Sequence, residues 1–192
     1  MERQKFKVSF TKPKDHPFPI ISWLIRLVTW SDCSHVLYKF QNQAFHVYFN
    51  WIGFVPLKEI EEKHEVVHEY ELEVDQHTMA LITGRAIKFN DKKTTGYYLQ
   101  LIGVALCMPM RLFNKNIWYE NPLDWFDSRL CSQYIMEDLL LSTQAYLYVN
   151  LYYYDAVHAL NSFTEKDLKV YLDYLIEIQK EKQLPFQVTK IK

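Results

Sequence analysis

The sequence predicts a single α+β domain, an antiparallel sheet packed against helices. Three observations lead there. Aromatic and β-branched runs alternate with period two, longer apolar runs recur at helical spacing, and no linker divides the 192 residues. A chain of this length buries a proper core. Its 49% hydrophobic content, with 14 Tyr and 12 Phe, is that of a folded protein.

KFKVSF (Lys5–Phe10) alternates and forms the first strand. After Pro17 and Pro19, ISWLIRLVTW (Ile21–Trp30) places Trp23, Leu24, Leu27 and Val28 at helical spacing. HVLYKF (His35–Phe40) and AFHVYFNW (Ala44–Trp51) form a hairpin joined by Gln41, Asn42 and Gln43. LKEIEEK (Leu57–Lys63) is a short helix after Pro56. EVVHEYELEVD (Glu65–Asp75) is a strand with His68, Tyr70, Leu72 and Val74 on one face and a solvated face of Glu69, Glu71 and Glu73.

QHTMALITGRAIKF (Gln76–Phe89) and Tyr97–Leu112 are helical, separated by the turn-like NDKKTTG, and make a partly helical insertion around 76–125. A loop covers Asn114–Asp127. SRLCSQYIMEDLLL (Ser128–Leu141) is a helix capped by Asp127 or Ser128. AYLYVNLYYYD (Ala145–Asp155) fits strand or loop. TEKDLKVYLDYLIEIQKEK (Thr164–Lys182) closes the chain as an amphipathic helix with a capping-box Thr-x-x-Asp start.

The net charge of −1, with both signs mixed along the chain, points to no nucleic acid and no anionic membrane as partner. Cys33, Cys107 and Cys131 are few, odd in number and widely spaced, which argues against a disulfide framework and for a reducing compartment. The polar start MERQKFKVSF shows no signal peptide, so a cytoplasmic location is expected. YYLQLIGVALCMPM (Tyr97–Met110) falls short of the roughly 20 residues a spanning helix needs. A buried helix, and no transmembrane segment, is expected there.

HEVVH (His64–His68) matches the HExxH zinc motif, in which two histidines four apart share a helical face with the glutamate as base. The local pattern is that of a strand, however, where residues four apart stand about 13 Å from one another. No metal site is expected. Cys33, in Asp-Cys-Ser, imitates the nucleophile region of NlpC-type peptidases, but a strand follows it where those enzymes have a helix. Cys131 lies in the first turn of an apolar helix, where the helix dipole favours a thiolate. His35 opens a strand after a polar turn, and His46 lies on the adjacent strand. A hairpin turn of two or four residues puts these histidines on one face, whereas three residues put them on opposite faces. Cys107, inside the most apolar helix, reads as core.

His35, His46 and Cys131 in that order resemble the circularly permuted NlpC-like branch of the papain-fold superfamily, including the YiiX-like and YaeF-like proteins and, more distantly, the lecithin retinol acyltransferases. ISWLIRLVTWSDCSHVLYKF is similar to their N-terminal signature, FHVYF to the strand bearing the third polar residue, LCSQYI to the cysteine helix, and SFTEKDL to a late Thr-x-x-Asp-Leu segment. Members carry glycines after the histidine and in the hairpin turn, where this chain has Leu37 and Gln41-Asn42-Gln43.

The resemblance implies a papain-like sheet and a cysteine hydrolase or acyltransferase. Cys131 would be the nucleophile, His35 the general base, and His46 the group that orients it, with Tyr48 and Asn50 as alternatives for that third role. The oxyanion would lie at the Cys131 N–H, helped by Tyr119. No cofactor is implied. Peptides, peptidoglycan stem peptides and lipid acyl groups all suit such a site. A papain-like module without catalysis is the alternative.

Overall fold

The computed structural model describes residues 3–14, 19–47, 51–93, 101–107, 109, 131–143 and 164–192. Seven strands form one antiparallel sheet: β1 (Arg3–Pro13), β2 (His35–Phe40), β3 (Gln43–Val47), β4 (Trp51–Pro56), β5 (His64–Asp75), β6 (Lys92–Lys93) and β7 (Gln187–Lys190). Their order is β6-β4-β3-β2-β1-β5-β7. The helices are α1 (Pro19–Thr29), α2 (Leu57–Lys63), α3 (Gln76–Phe89), α4 (residues 101–107), α5 (Cys131–Thr143) and α6 (Glu165–Glu181). The α+β class is as expected.

Period-two alternation sorts the strand side chains into two layers. Phe6, Val8 and Phe10 of β1, Val36 and Tyr38 of β2, Phe45 of β3 and Tyr70, Leu72 and Val74 of β5 join one large core. α3, α5 and α6 cover that face with Ile82, Ile135, Leu139, Leu168 and Leu172. The tyrosine on β2 is tied to the helix above it, since Tyr38 Oη donates to the Ile135 carbonyl at 3.1 Å. The opposite face carries a smaller cluster, Leu37 and Ala44 beneath Ile60 of α2.

Several elements differ in detail from the sequence expectation. The hairpin turn has two residues rather than three, because Phe40 pairs with Gln43. Gln41 enters it with φ of 44°, in the left-handed region that two-residue hairpin turns use at this position. The aromatic run Ala44–Trp51 is not one strand: β3 ends at Val47, and Trp51 opens β4, which returns along β3. β7, a short edge strand pairing with β5, carries no alternation strong enough to mark it in sequence.

The glutamate face of β5 is not simply solvated. Glu71 pairs with Lys5 at 2.7 Å, and Glu69 pairs with Lys7 at 3.2 Å and Lys39 at 2.9 Å, a cross-strand ladder of charge. On α1, Trp23, Leu24 and Leu27 face outward while Ser22, Ile25 and Thr29 are buried. The capping box is present at the start of α6. Thr164 Oγ1 accepts from the Asp167 N–H, and Asp167 Oδ2 accepts from the Thr164 N–H at 2.9 Å. Leu101, Val104 and Cys107 of α4 are buried, and no helix among the described residues is long and apolar enough to cross a membrane. The Asn114–Asp127 loop, the Asp127 or Ser128 cap and the Ala145–Asp155 stretch lie outside the described residues.

Candidate active site

The two-residue turn decides the histidine geometry. It sets Leu37 opposite His46, so His35, Leu37 and His46 share the α2 face of the sheet. His35 Nε2 lies 3.2 Å from His46 Nδ1, with the rings edge-to-face at 5.3 Å. Both side chains are buried. The Trp51 ring stands edge-on to His46 at 5.4 Å, and the His64 ring lies 5.8 Å from His35. His64 itself is placed by Thr11, whose Oγ1 is 3.3 Å from its Nδ1. With His35 Nε2 engaged by His46, Nδ1 is the ring nitrogen of His35 left to exchange a proton.

Burial, followed by the neighbouring imidazoles, pushes His35 well below its ordinary value. Burial and His64 push His46 down to about 4. Both rings are therefore neutral at pH 7, the form a general base needs. The same shift has a stability consequence. As pH falls, the unfolded chain takes up the His46 proton near 6.5 while the folded chain resists to about 4. Stability is thus lost across that window, by about 3 kcal/mol for this group. Urea unfolding at pH 7 and pH 4 should show a smaller acid loss in a His46→Gln variant than in the wild type; equal losses would contradict the burial of a neutral ring.

Cys131 is the first described residue of α5 and is fully buried. Its Sγ donates to Glu165 Oε1 at 3.5 Å. Burial and the Glu165 charge push the thiol well above its ordinary value, against backbone hydrogen bonds with Val36 and Ser132 that pull it down. Val36 follows His35 directly, so the thiol reaches β2 at the next peptide along from the imidazole pair. The alternation of β2 sends Val36 towards α5 and His35 towards α2. The structure thus brings His35 and His46 together on the α2 face of the sheet and places Cys131 on the opposite face, against Val36. Among the described residues, the hydrogen-bonding side chain on the thiol is Glu165.

Glu165 is the site residue that sequence reasoning missed. An acidic residue between the capping Thr164 and Asp167 is ordinary for a helix start, so nothing marks it. Yet it is buried, and burial pushes its carboxyl up to about 7.

Cys33 sits in the turn before β2, as expected. It is buried beside Ser31, whose Oγ is 3.0 Å from its sulfur, and burial raises its thiol. Cys107 is core. His64 and His68 lie on strand β5, and His68 Nε2 meets Asp32 Oδ2 at 2.6 Å. Among the described residues no cluster of His, Cys, Asp and Glu is arranged to hold a metal. Tyr48, Asn50 and Tyr119 lie outside the described residues. An open cleft of about 760 Å³, lined by Phe40, Gln41, Gln43, Phe54 and Met79, lies at the far end of β2 from His35. Compared with models of known families, with curated proteins and with solved structures, the chain matches none.

Proposed function

We propose that the chain is a cysteine-dependent hydrolase or acyltransferase on a circularly permuted papain-like fold, with Cys131 as nucleophile and His35 and His46 as its imidazole pair. One observation carries this reading. The His35 Nε2 to His46 Nδ1 contact of 3.2 Å fixes the base through one nitrogen, while the helix-borne thiol lies across the sheet against Val36, the next residue of the strand.

In the productive tautomer His35 Nε2–H donates to His46 Nδ1, and the lone pair on His35 Nδ1 takes the thiol proton. That transfer follows a rearrangement that brings the imidazole, which faces α2, to the sulfur on the α5 side of β2. The sulfur then attacks the carbonyl carbon of an amide or ester, and the carbonyl electron pair moves to oxygen. The Cys131 N–H would receive that charge. Collapse expels the amine or alcohol with the proton held by His35, leaving an acyl-thioester on Cys131. Water or an alcohol then attacks the thioester and gives its proton to His35. The thiolate leaves and recovers that proton.

The substrate would be a peptide, a peptidoglycan stem peptide or a lipid acyl ester. A panel of p-nitrophenyl esters of short and long acyl chains, peptide amides and stem-peptide fragments tests the class. Turnover of one of these by the wild type, falling to background in Cys131→Ser, is the expected result. Turnover that survives in Cys131→Ser would overturn the assignment. The full burial of Cys131 favours a second reading, a papain-like binding module without catalysis. That reading expects no turnover by the wild type on any member of the panel.

A further inference from the structure

Glu165 has no part in the chemistry just described, yet it sits in direct contact with the thiol. It occupies the first position of α6 and is only 2% exposed. One carboxylate oxygen accepts the Cys131 S–H at 3.5 Å. The other, Oε2, has no hydrogen-bond partner among the described residues. A half-satisfied carboxyl held away from water is costly. A glutamate in the first turn of a helix would serve the dipole equally well pointing outward. Its inward placement aims it at the sulfur.

The chemistry of that contact has one direction. An acceptor carboxylate stabilises the protonated thiol through the hydrogen bond and opposes the thiolate by like charge. Among the described residues, the groups facing Glu165 do not offset this: Cys131 comes from α5, Cys33 from the turn before β2, and Asp167 from its own helix. None is cationic. We propose that Glu165 is a lock on Cys131, a positioning residue whose carboxylate keeps the sulfur protonated and engaged away from His35 until the carboxyl is protonated or displaced. This rests on Cys131 being the nucleophile. With burial pushing the carboxyl up to about 7, the lock is engaged above that pH and loosens below it.

Site-resolved alkylation tests the lock. The intact protein is treated with iodoacetamide across pH 6 to 9, and labelling of the Cys131 peptide is followed by mass spectrometry. Glu165→Gln removes the charge and should label about tenfold faster or more at pH 7.5, one unit of thiol pKa being tenfold in thiolate. Glu165→Asp keeps the charge and should stay within about threefold of the wild type. Labelling of Glu165→Gln at or below the wild-type rate would overturn the proposal.

Should Glu165→Gln fail to fold, the wild type carries the test. Its S–H stretching band, assigned by its loss in Cys131→Ala, should move to lower frequency as pH rises through about 7. A band that does not move between pH 5 and pH 9 would overturn the lock. The two readings fail separately. Faster labelling of Glu165→Gln in a protein that turns over no substrate keeps the lock and removes the hydrolase; unchanged labelling in a protein that loses turnover with Cys131→Ser does the reverse.

Discussion

Replacing His35 with glutamine is expected to slow acylation of Cys131 by about 10²- to 10⁴-fold, the usual contribution of a positioned general base. Glutamine can keep a hydrogen bond to His46 Nδ1 through its amide, so the hairpin and the α2 face should survive. It cannot accept and return a proton at neutral pH. The His46→Asn variant separates the roles further. It leaves the proposed base, His35, in place and removes the imidazole that fixes it, so it should slow acylation less than His35→Gln. A burst experiment with an activated ester measures both. Equal acylation rates in the wild type and His35→Gln would show that the ring at the start of β2 takes no part.

The second large effect concerns stability and lies in the helix layer. Asp138 of α5 is fully buried, and Arg85 of α3 reaches it with Nε 2.8 Å from Oδ1. Burial pushes the Asp138 carboxyl up to about 6, against the pull of Arg85. At pH 7 the group is still charged, and Arg85 is its counter-ion. Arg85→Met removes that partner while keeping apolar bulk, and should destabilise the fold by about 3 kcal/mol at pH 7.

The sign with pH follows from the raised carboxyl. A proton bound more tightly in the folded state makes stability fall as pH rises from the ordinary value of 3.8 through about 6. Without Arg85 the carboxyl rises further, so the deficit of Arg85→Met should grow above pH 6 and shrink below it. Arg85→Met combined with Asp138→Leu should recover most of the loss, since no charge is then left buried. Urea unfolding at pH 5 and pH 7.5 reads all three. A loss below 1 kcal/mol in Arg85→Met at pH 7.5 would mean that the pair contributes little.

Much of this arrangement was legible in the residues. The alternation of HVLYKF and EVVHEYELEVD gave the strands and their buried faces, because one face of each meets a core. Thr164 and Asp167 announced the start of α6 through a local hydrogen-bond exchange that depends on nothing distant. The histidine pair was legible only conditionally. Its shared face depends on turn length, and Gln41, Asn42 and Gln43 carry none of the glycine signals that fix it.

What sequence did not reveal comes from long-range contact. Glu165 meets Cys131 across 34 positions, and nothing near Glu165 in the chain records that meeting. The break between β3 and β4 is hidden inside one continuous aromatic run, where hydropathy has no contrast. Lys39 looks like a surface residue in HVLYKF, yet it is buried against Glu69 through a strand pairing two neighbours away.

Catalysis through Cys131 stands or falls on one covalent species. Rapid mixing with an activated ester, acid quenching and mass spectrometry of the Cys131 peptide should reveal an acyl group on that sulfur in the wild type, with its formation strongly slowed in His35→Gln. Acylation absent from Cys131 in the wild type, or formed at the same rate in His35→Gln, would contradict the assignment of these residues.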